Sequence, residues 1–335
     1  MTNSSPSAGD KPRTIAVIGG AGFLGRALSR QLTYDGHDVH VIDLPRAGED
    51  SKRDNPTGRS DTPLPFHEAP VEDAVAVASA LKKVRPHTVV NLAYLVGQPA
   101  ERSVALATRV NLTGPMNVLQ ASHEAGVQRY VHSSSIAVYG PSQLNWGRRV
   151  DEADMLPLLQ HTSNYGAFKC CNEYQVRAFA EETGLECTGV RLSIVLGPGR
   201  TRGLATWGSQ ILADVGARPG SHHIPVPASA RSSLLGQDDA VHIMRAVTLH
   251  PRPRLIYNSG GHDVSARRFA DAVRAVVPTT QFTFDEAASD LPFVHDVSNA
   301  LAGEDLGFSL QPLDATIRRL LDSANDGSPS QEKLC

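Results

Sequence analysis

The sequence predicts an α/β fold: a Rossmann-type doubly wound parallel sheet with a smaller C-terminal substrate-binding lobe. Three observations predict it. Short β-branched strands alternate with helix-length segments from residue 14 to residue 196. The first strand runs directly into a glycine-rich turn, Gly19-Gly20-Ala21-Gly22-Phe23-Leu24-Gly25. An acidic residue, Asp43, closes the second strand. Strands and helices alternating at these lengths imply right-handed crossovers and a sheet buried on both faces.

The elements follow in order. Residues 14–18 (TIAVI) form a buried strand, and 23–34 carry helical spacing through Leu24, Ala27, Leu28, Gln31 and Leu32. Residues 38–42 (DVHVI) make the second strand. Residues 45–65, rich in Pro, Gly, Ser, Asp and Arg, read as a flexible loop. A helix is expected over 71–84, a strand over 88–92 (TVVNL) and a long helix over 104–125. The strand at 128–134 ends in hydroxyls, a helix covers 164–182, and a further strand covers 186–192. After Gly197 the alternation weakens. Shorter helices are expected at 238–249 and 265–277, with a strand at 254–258 between them. The division is therefore a disordered tail over 1–13, a dinucleotide-binding domain with the catalytic residues over 14–196, and a mixed substrate lobe over 197–322. Some segments of that lobe return to the sheet. A second disordered tail covers 323–335.

Composition narrows the partners. The 335 residues carry 32 Lys plus Arg against 35 Asp plus Glu, a net charge of −3. That balance speaks against nucleic acid and anionic membranes, which need a basic surface. With 41% hydrophobic residues there is material for a full core. The four cysteines (Cys170, Cys171, Cys187, Cys335) show no C-x-x-C spacing, so neither a disulfide framework nor a zinc site is expected. Free thiols, a polar N-terminus without an apolar signal core, and no apolar run of about 20 residues point to the cytoplasm. His222-His223, in a loop without an obvious acidic or Cys partner, reads as solvent-exposed rather than metal-binding.

The glycine loop is a phosphate cradle. Glycines let the backbone turn sharply and approach a pyrophosphate, while the next helix directs its N-terminal amides at that charge. Gly19, Gly22, Phe23, Leu24 and Gly25 are the expected contacts. Asp43 lies near the offset of about 20 residues at which a carboxylate takes the ribose 2′-hydroxyl. A carboxylate there repels a 2′-phosphate, so NAD is favoured over NADP, a preference Arg46 could soften. The bland alternative is a glycine-rich turn with no ligand.

Tyr165 and Lys169 stand four apart on an expected helix and so share a face. A phenol with a pKa of about 10 is a poor base at neutral pH, and a neighbouring ammonium favours its phenolate. Such a pair alone is a weak signal. Its weight comes from the upstream hydroxyl-rich stretch His132-Ser133-Ser134-Ser135, which closes a parallel strand at the sheet's C-terminal edge.

Here the chain resembles the extended short-chain dehydrogenase/reductase family, the NAD-dependent epimerase/dehydratase group. The glycine loop matches, as do Asn91-Leu92-Ala93 and Val110-Asn111-Leu112-Thr113-Gly114. The S-S-S-I-A-V-Y-G run, Asp151-Glu152, Y-x-x-x-K and Arg191 through Pro198-Gly199-Arg200 follow in family order. The resemblance runs on through Asp238-Asp239-Ala240, Tyr257-Asn258-Ser259-Gly260-Gly261 and Asp305-Leu306-Gly307-Phe308, and covers nearly all of 14–322. It implies NAD as cofactor, with Tyr165 as general acid/base and Lys169 lowering its pKa and holding the nicotinamide ribose. Ser135, four residues before Tyr139, would hydrogen-bond the reacting oxygen, with Ser133 and Ser134 as competing assignments and strand-end capping as the plain alternative. Leu92, Ala93, Asn111 and Pro198 join the cofactor contacts, and Arg200 and Arg231 the substrate contacts. Tyr94, where a small residue is common, would narrow the pocket beside the nicotinamide or simply pack there. Ala69 stands where many relatives place an adenine-contacting Asp.

Departures choose among the family's reactions. Ile136 and Ala137 replace the Asp-Glu pair of dehydratases, and the decarboxylases' Glu is also absent. Residues 286–293 lack the arginine with which nucleotide-sugar members grip a diphosphate. The expectation is an NAD-dependent dehydrogenase or reductase acting on a secondary alcohol or ketone of a sugar-like small molecule. The alternative is a nucleotide-sugar 4-epimerase with retained NAD. A redox-sensing binding module is the reading from another class, and it is disfavoured because both Tyr165 and Lys169 are present. The helices around 104–125 and 164–182 are the pair that relatives use to dimerise, which implies a homodimer.

Overall fold

The computed structural model describes residues 12–44, 63–203, 205–289 and 291–326. Its centre is a seven-stranded, fully parallel sheet. The strands are β1 (Thr14–Ile18), β2 (Asp38–Asp43), β3 (Phe66–Glu68), β4 (Thr88–Asn91), β5 (Arg129–Ser135) and β6 (Glu186–Leu192). After β7 (Ile194–Leu196), β8 (Ser221–Ile224) and β9 (Arg231–Gly236), β10 (Ile256–Asn258) returns to the sheet. The order is β3-β2-β1-β4-β5-β6-β10. The chain reverses direction across the sheet between β1 and β4. This is where ligands of doubly wound folds bind, outside the strands' carboxyl ends.

The strand sequences explain the sheet. Ile15, Ala16, Val17 and Ile18 are all fully buried, as a parallel strand covered on both faces requires. Leu28, Leu32, Val247 and Tyr257 pack on one face, and Val77, Leu81, Val118 and Leu119 on the other. A third core, around Ile211, Phe269 and Ile317, holds the smaller lobe together. There β7 pairs with β9, β9 pairs antiparallel with β11 (His262–Ser265), and β8 pairs with β12 (Gln281–Phe284).

Several expected boundaries move. The helix expected over 71–84 begins at Ala74, because the Asp73 side chain accepts from the amides of Val75 and Ala76 at 3.0 Å. The long helix expected over 104–125 is a short Val104–Thr108 helix, a wide π-turn at Arg109–Thr113 and a Gly114–Glu124 helix. The wide turn coincides with Asn111, whose carbonyl accepts from Asn172 Nδ2 at 2.7 Å. The tail expected from residue 323 is still helix to Asp326, because Ile317, Leu320 and Leu321 anchor the Leu313–Asp326 helix in the lobe core. His222 and His223 lie on strand β8, not in a loop. Their rings face Arg218 O and Thr283 Oγ1. Most of the 45–65 loop, Arg46, Cys335 and nearly all of both expected tails fall outside the described residues. Among the described residues Cys170, Cys171 and Cys187 are free thiols. No helix among them is long and apolar enough to cross a membrane.

Candidate active site

A cavity of about 800 Å³ opens at the β1–β4 reversal and runs from the glycine loop to the start of the Asn164–Thr183 helix. Its first end is the glycine turn. A Cβ at Gly19 would stand 2.6 Å from Ala93 N, and one at Gly20 would stand 2.8 Å from Val17 O, so backbone alone fits here. Gly22 caps the Phe23–Tyr34 helix without a side-chain hydrogen bond, which leaves that helix's first-turn amides for a ligand. Asp43 Oδ2 accepts from Ala21 N at 2.8 Å and ties the loop to the end of β2. This cradle fits the pyrophosphate of NAD on a helix N-terminus, with a carboxylate placed for the ribose.

A substitution tests the cradle. A Cβ at Gly25 would press on Gly19 O and lie 2.7 Å from Gly20 Cα. Both are backbone, so Gly25→Ala must displace the turn. Overpacking of this kind costs about 1–3 kcal/mol. The expected result is a folded protein with more than tenfold weaker NAD binding, read by calorimetric titration. Unchanged affinity would remove the cradle from the cofactor site.

At the other end the three serines divide. Ser133 offers its carbonyl, which accepts from Lys169 Nζ at 2.7 Å. Ser134 donates its hydroxyl to Glu173. Ser135 shares the cavity wall with Tyr165, whose phenol it acts on, while its Oγ accepts from Ala137 N at 3.2 Å. Ser135 therefore caps the strand end and faces the phenol at once.

Tyr165, Lys169 and Glu173 lie one turn apart on one face of their helix. Two unforeseen contacts fix that helix's start. The Glu101 carboxylate accepts from the amides of Asn164 (3.0 Å) and Tyr165 (3.2 Å), and Ser163 Oγ accepts from Gly166 N at 3.1 Å. A carboxylate and a hydroxyl thus satisfy amides that a helix leaves open at its N-terminus, where negative charge is favoured. Gly166 lets the helix touch the turn after Ser135, for a Cβ there would stand 2.9 Å from Ala137 O. No sequence pattern marked Glu101, because its partner lies 63 residues away.

The electrostatics depart from expectation. Burial pushes the Tyr165 phenol above its ordinary value of 10.0, opposed by the Ser135 hydrogen bond and the charge of Arg200. Lys169, which the resemblance expects to lower that value, stands beside the Tyr165 ring. Its ammonium lies over the Tyr94 ring, 3.5 Å from the centroid, and 5.7 Å from that of Tyr165. The Tyr94 ring meets Tyr165 edge-on, with centroids 5.5 Å apart. Burial lowers Lys169 itself to about 7, with Glu173 pulling the other way.

That shift has a consequence for stability. Between about pH 7 and the unfolded value of about 10.4 the unfolded chain holds a proton on Lys169 that the folded chain has lost. Lys169 therefore carries a stability cost that is full below about pH 7 and is relieved as pH rises across this window. Wild type should gain on Lys169→Met in urea midpoint between pH 7 and 9. Parallel midpoints across that range would refute the lowered value.

Most residues expected from the sequence meet at this cavity. Gly19, Gly22, Phe23, Leu24, Gly25 and Asp43 line it, followed by Leu92, Ala93 and Tyr94. Ser135, Tyr165, Lys169 and Arg200 complete the far wall, where Phe293 joins from the segment that lacks an arginine. Three expected contacts do not line it. Asn111 is buried below it, exchanging side-chain hydrogen bonds with both Leu95 backbone groups at 2.8 and 2.9 Å. Its role is to hold the β4 loop. Pro198 is exposed and absent from the wall, although Gly199 and Arg200 beside it are present. Arg231, at the start of β9, is half exposed and paired with Asp263 at 2.7 Å, so its charge is already used. Among the described residues, no group of three or more His, Cys, Asp or Glu could hold a metal ion.

Comparison with known proteins agrees with this geometry. The profile of the NAD dependent epimerase/dehydratase family matches residues 15–260. The UDP-glucose 4-epimerase of Lactobacillus helveticus is 29% identical over 187 residues, which cover 55% of this chain and 52% of that protein. The chain spans about half the length of the first curated relatives it matches. Among solved structures, the UDP-glucose 4-epimerase of Thermus thermophilus, in complex with NAD, has a TM-score of 0.76 at 23% identity. It covers 94% of this chain and 100% of its own. The L-threonine dehydrogenase of Clostridium difficile has a TM-score of 0.82 at 18% identity, over 95% and 99% of the two chains. At these identities the likeness to the solved structures is one of fold.

Proposed function

The chain belongs to the NAD-dependent epimerase/dehydratase family of extended short-chain dehydrogenase/reductase enzymes, and on that premise we propose a dehydrogenase or reductase acting on a secondary alcohol or ketone of a sugar-like small molecule. The observation that carries this reading is the Ser135–Tyr165 pair in the cavity, beside Lys169 and continuous with the glycine cradle. The cofactor this cavity would hold would supply hydride transfer to or from a substrate carbon. Tyr165 moves the accompanying proton: it takes the hydroxyl proton of the alcohol, or gives a proton to the ketone oxygen. Ser135 holds that oxygen by a hydrogen bond. Lys169 would hold the nicotinamide ribose, and Asp43 would favour NAD over NADP at the adenosine ribose.

Epimerisation is the second reading, favoured by the UDP-glucose 4-epimerases among the relatives. One experiment separates the two. Purified protein is incubated with NAD, and separately with NADH, against free sugars, sugar acids and nucleotide sugars, following both absorbance and products. Net absorbance change with a keto or hydroxy product supports the dehydrogenase. Inverted sugar without net change supports the epimerase. Neither change would set aside both.

A homodimer is part of the proposal. Val104 and Tyr174, on the two helices expected to dimerise, are 57% and 64% exposed for large apolar side chains. Sedimentation at micromolar concentration should give twice the 35.8 kDa chain mass. A monomer would remove this part.

A further inference from the structure

We infer that Arg200 is the anion-binding residue of this site and that the substrate carries a carboxylate a few bonds from the reacting carbon. This rests on the hydride-transfer reading above and narrows its substrate to a hydroxy acid or the corresponding keto acid.

The argument starts from pairing. Ten arginines, among them Arg129, Arg191, Arg245 and Arg254, stand in ion pairs with carboxylates. Arg200 has no carboxylate partner among the described residues. It lines the cavity, and its side chain donates to a backbone carbonyl, Val195 O. The loop is shaped around it. Gly203 has φ +120, and a Cβ there would stand 3.2 Å from Arg200 Nη2. Gly97, at φ +75, packs on Gly203, where a Cβ would lie 3.3 Å from Gly203 N. Two glycines in left-handed backbone thus leave room for one guanidinium.

The charge around it is one-sided. The acids on the cavity wall are Asp43 and Glu72, both at the adenosine end with the glycine loop and Ala69. The far wall with Tyr165, Lys169 and Arg200 carries no carboxylate of its own, and the nearby Glu101 carboxylate is taken by the amides of Asn164 and Tyr165. Lys169 is engaged by Ser133 O and the Tyr94 ring. Burial disfavours the charge on Arg200, and the one group that offsets this is Tyr165. Arg200 is half-buried, and a cation drawn partly out of water without a counter-ion is satisfied when a ligand brings the anion. A guanidinium presents a planar fork that matches a carboxylate in two parallel hydrogen bonds. Arg200 and Tyr165 line the same cavity, so an anion held by the guanidinium and the carbon being oxidised belong to one compact molecule. A nucleotide diphosphate, separated from a sugar's reacting carbon by the ring, is a poorer match.

The test uses matched pairs with NAD: gluconate against sorbitol, threonate against threitol, and 3-hydroxybutyrate against butane-1,3-diol, with UDP-glucose as the remaining arm. The expected result is turnover of at least one acid and little of its neutral partner. Arg200→Met should then raise KM for the acid by about tenfold to a hundredfold, the value of a charge-assisted hydrogen bond, with a smaller change in kcat. Arg200→Lys should recover part of the loss. Succinate, which carries no reacting hydroxyl, should raise the melting temperature of wild type but not of Arg200→Met. If acids and neutral partners turn over alike, or Arg200→Met affects both equally, or succinate stabilises both proteins alike, the carboxylate assignment falls while the dehydrogenase reading stands. Turnover of UDP-glucose alone overturns it too. If no compound is turned over, and succinate stabilises neither protein, both fall.

Discussion

Tyr165→Phe abolishes most of the turnover. Removing a positioned general acid/base typically lowers rates by about 10²–10⁴-fold, and the Tyr165 phenol lines the cavity together with Ser135 and Lys169. Phenylalanine keeps the ring that meets Tyr94 edge-on, so folding and cofactor affinity should change little. The loss belongs in kcat more than in KM, because the missing contact strengthens in the transition state. The pH profile sharpens the expectation. Burial raises the Tyr165 value, so the phenol is protonated at neutral pH and is set to donate. Reduction of a ketone should therefore proceed at neutral pH and decline as the phenol ionises, whereas oxidation of the alcohol should rise with pH. Stopped-flow rates in both directions from pH 6 to 10 check this. A Tyr165→Phe protein that keeps full turnover would remove the proposed mechanism.

What could be read in advance follows from where the information sits. The glycine turn was legible because its requirement is local: only residues without Cβ allow Gly19 against Ala93 and Gly20 against Val17. Asp43 was legible for the same reason, since strand length fixes its distance from the loop. The buried parallel sheet followed from alternation and handedness alone. The three serines were not separable by spacing. Their roles depend on partners brought by another helix, Lys169 for Ser133, Glu173 for Ser134 and Tyr165 for Ser135. Glu101 and the packing of Gly97 on Gly203 were invisible, because each joins loops far apart in sequence. The tyrosine–lysine pair shows the limit of a spacing argument. The two share a helix face as expected, yet the Lys169 ammonium lies 3.5 Å from the centroid of a third ring, that of Tyr94, and 5.7 Å from that of Tyr165. Asn111, Pro198 and Arg231 belong to matching segments, but their side chains support or flank the cavity instead of lining it.

The largest stability effect is expected beneath the site, at Arg191. Its guanidinium, 3% exposed, meets Glu173, 10% exposed, through Nε at 2.9 Å and Nη2 at 2.8 Å. Its Nη1 also donates to the Tyr139 hydroxyl and to the carbonyls of Glu152 and Asp154. Arg191 sits on β6 directly opposite Ser134 on β5, so this network fixes the strand that presents Ser135. Arg191→Met removes the cation but leaves the Glu173 carboxylate buried, with Ser134 as its remaining partner. Breaking a buried pair by removing one member costs about 3–5 kcal/mol, most of it the uncompensated charge left behind. Urea denaturation should show that loss as a lower midpoint. The double variant Arg191→Met/Glu173→Met removes both charges, and replacing a buried ion pair by apolar side chains is often neutral or stabilising. It should therefore be more stable than Arg191→Met alone, despite carrying one more substitution. The carbonyls of Glu152 and Asp154 still lose their donor, so recovery should stop short of wild type. If the double variant were as unstable as the sum of its single changes, the cost would lie in packing and not in the stranded carboxylate. The same pair touches function, because Glu173 raises the Lys169 value against burial. Glu173→Met should then lower the Lys169 value below about 7 and move the pH window of its stability contribution downward, a shift that a purely structural role for Glu173 would not produce.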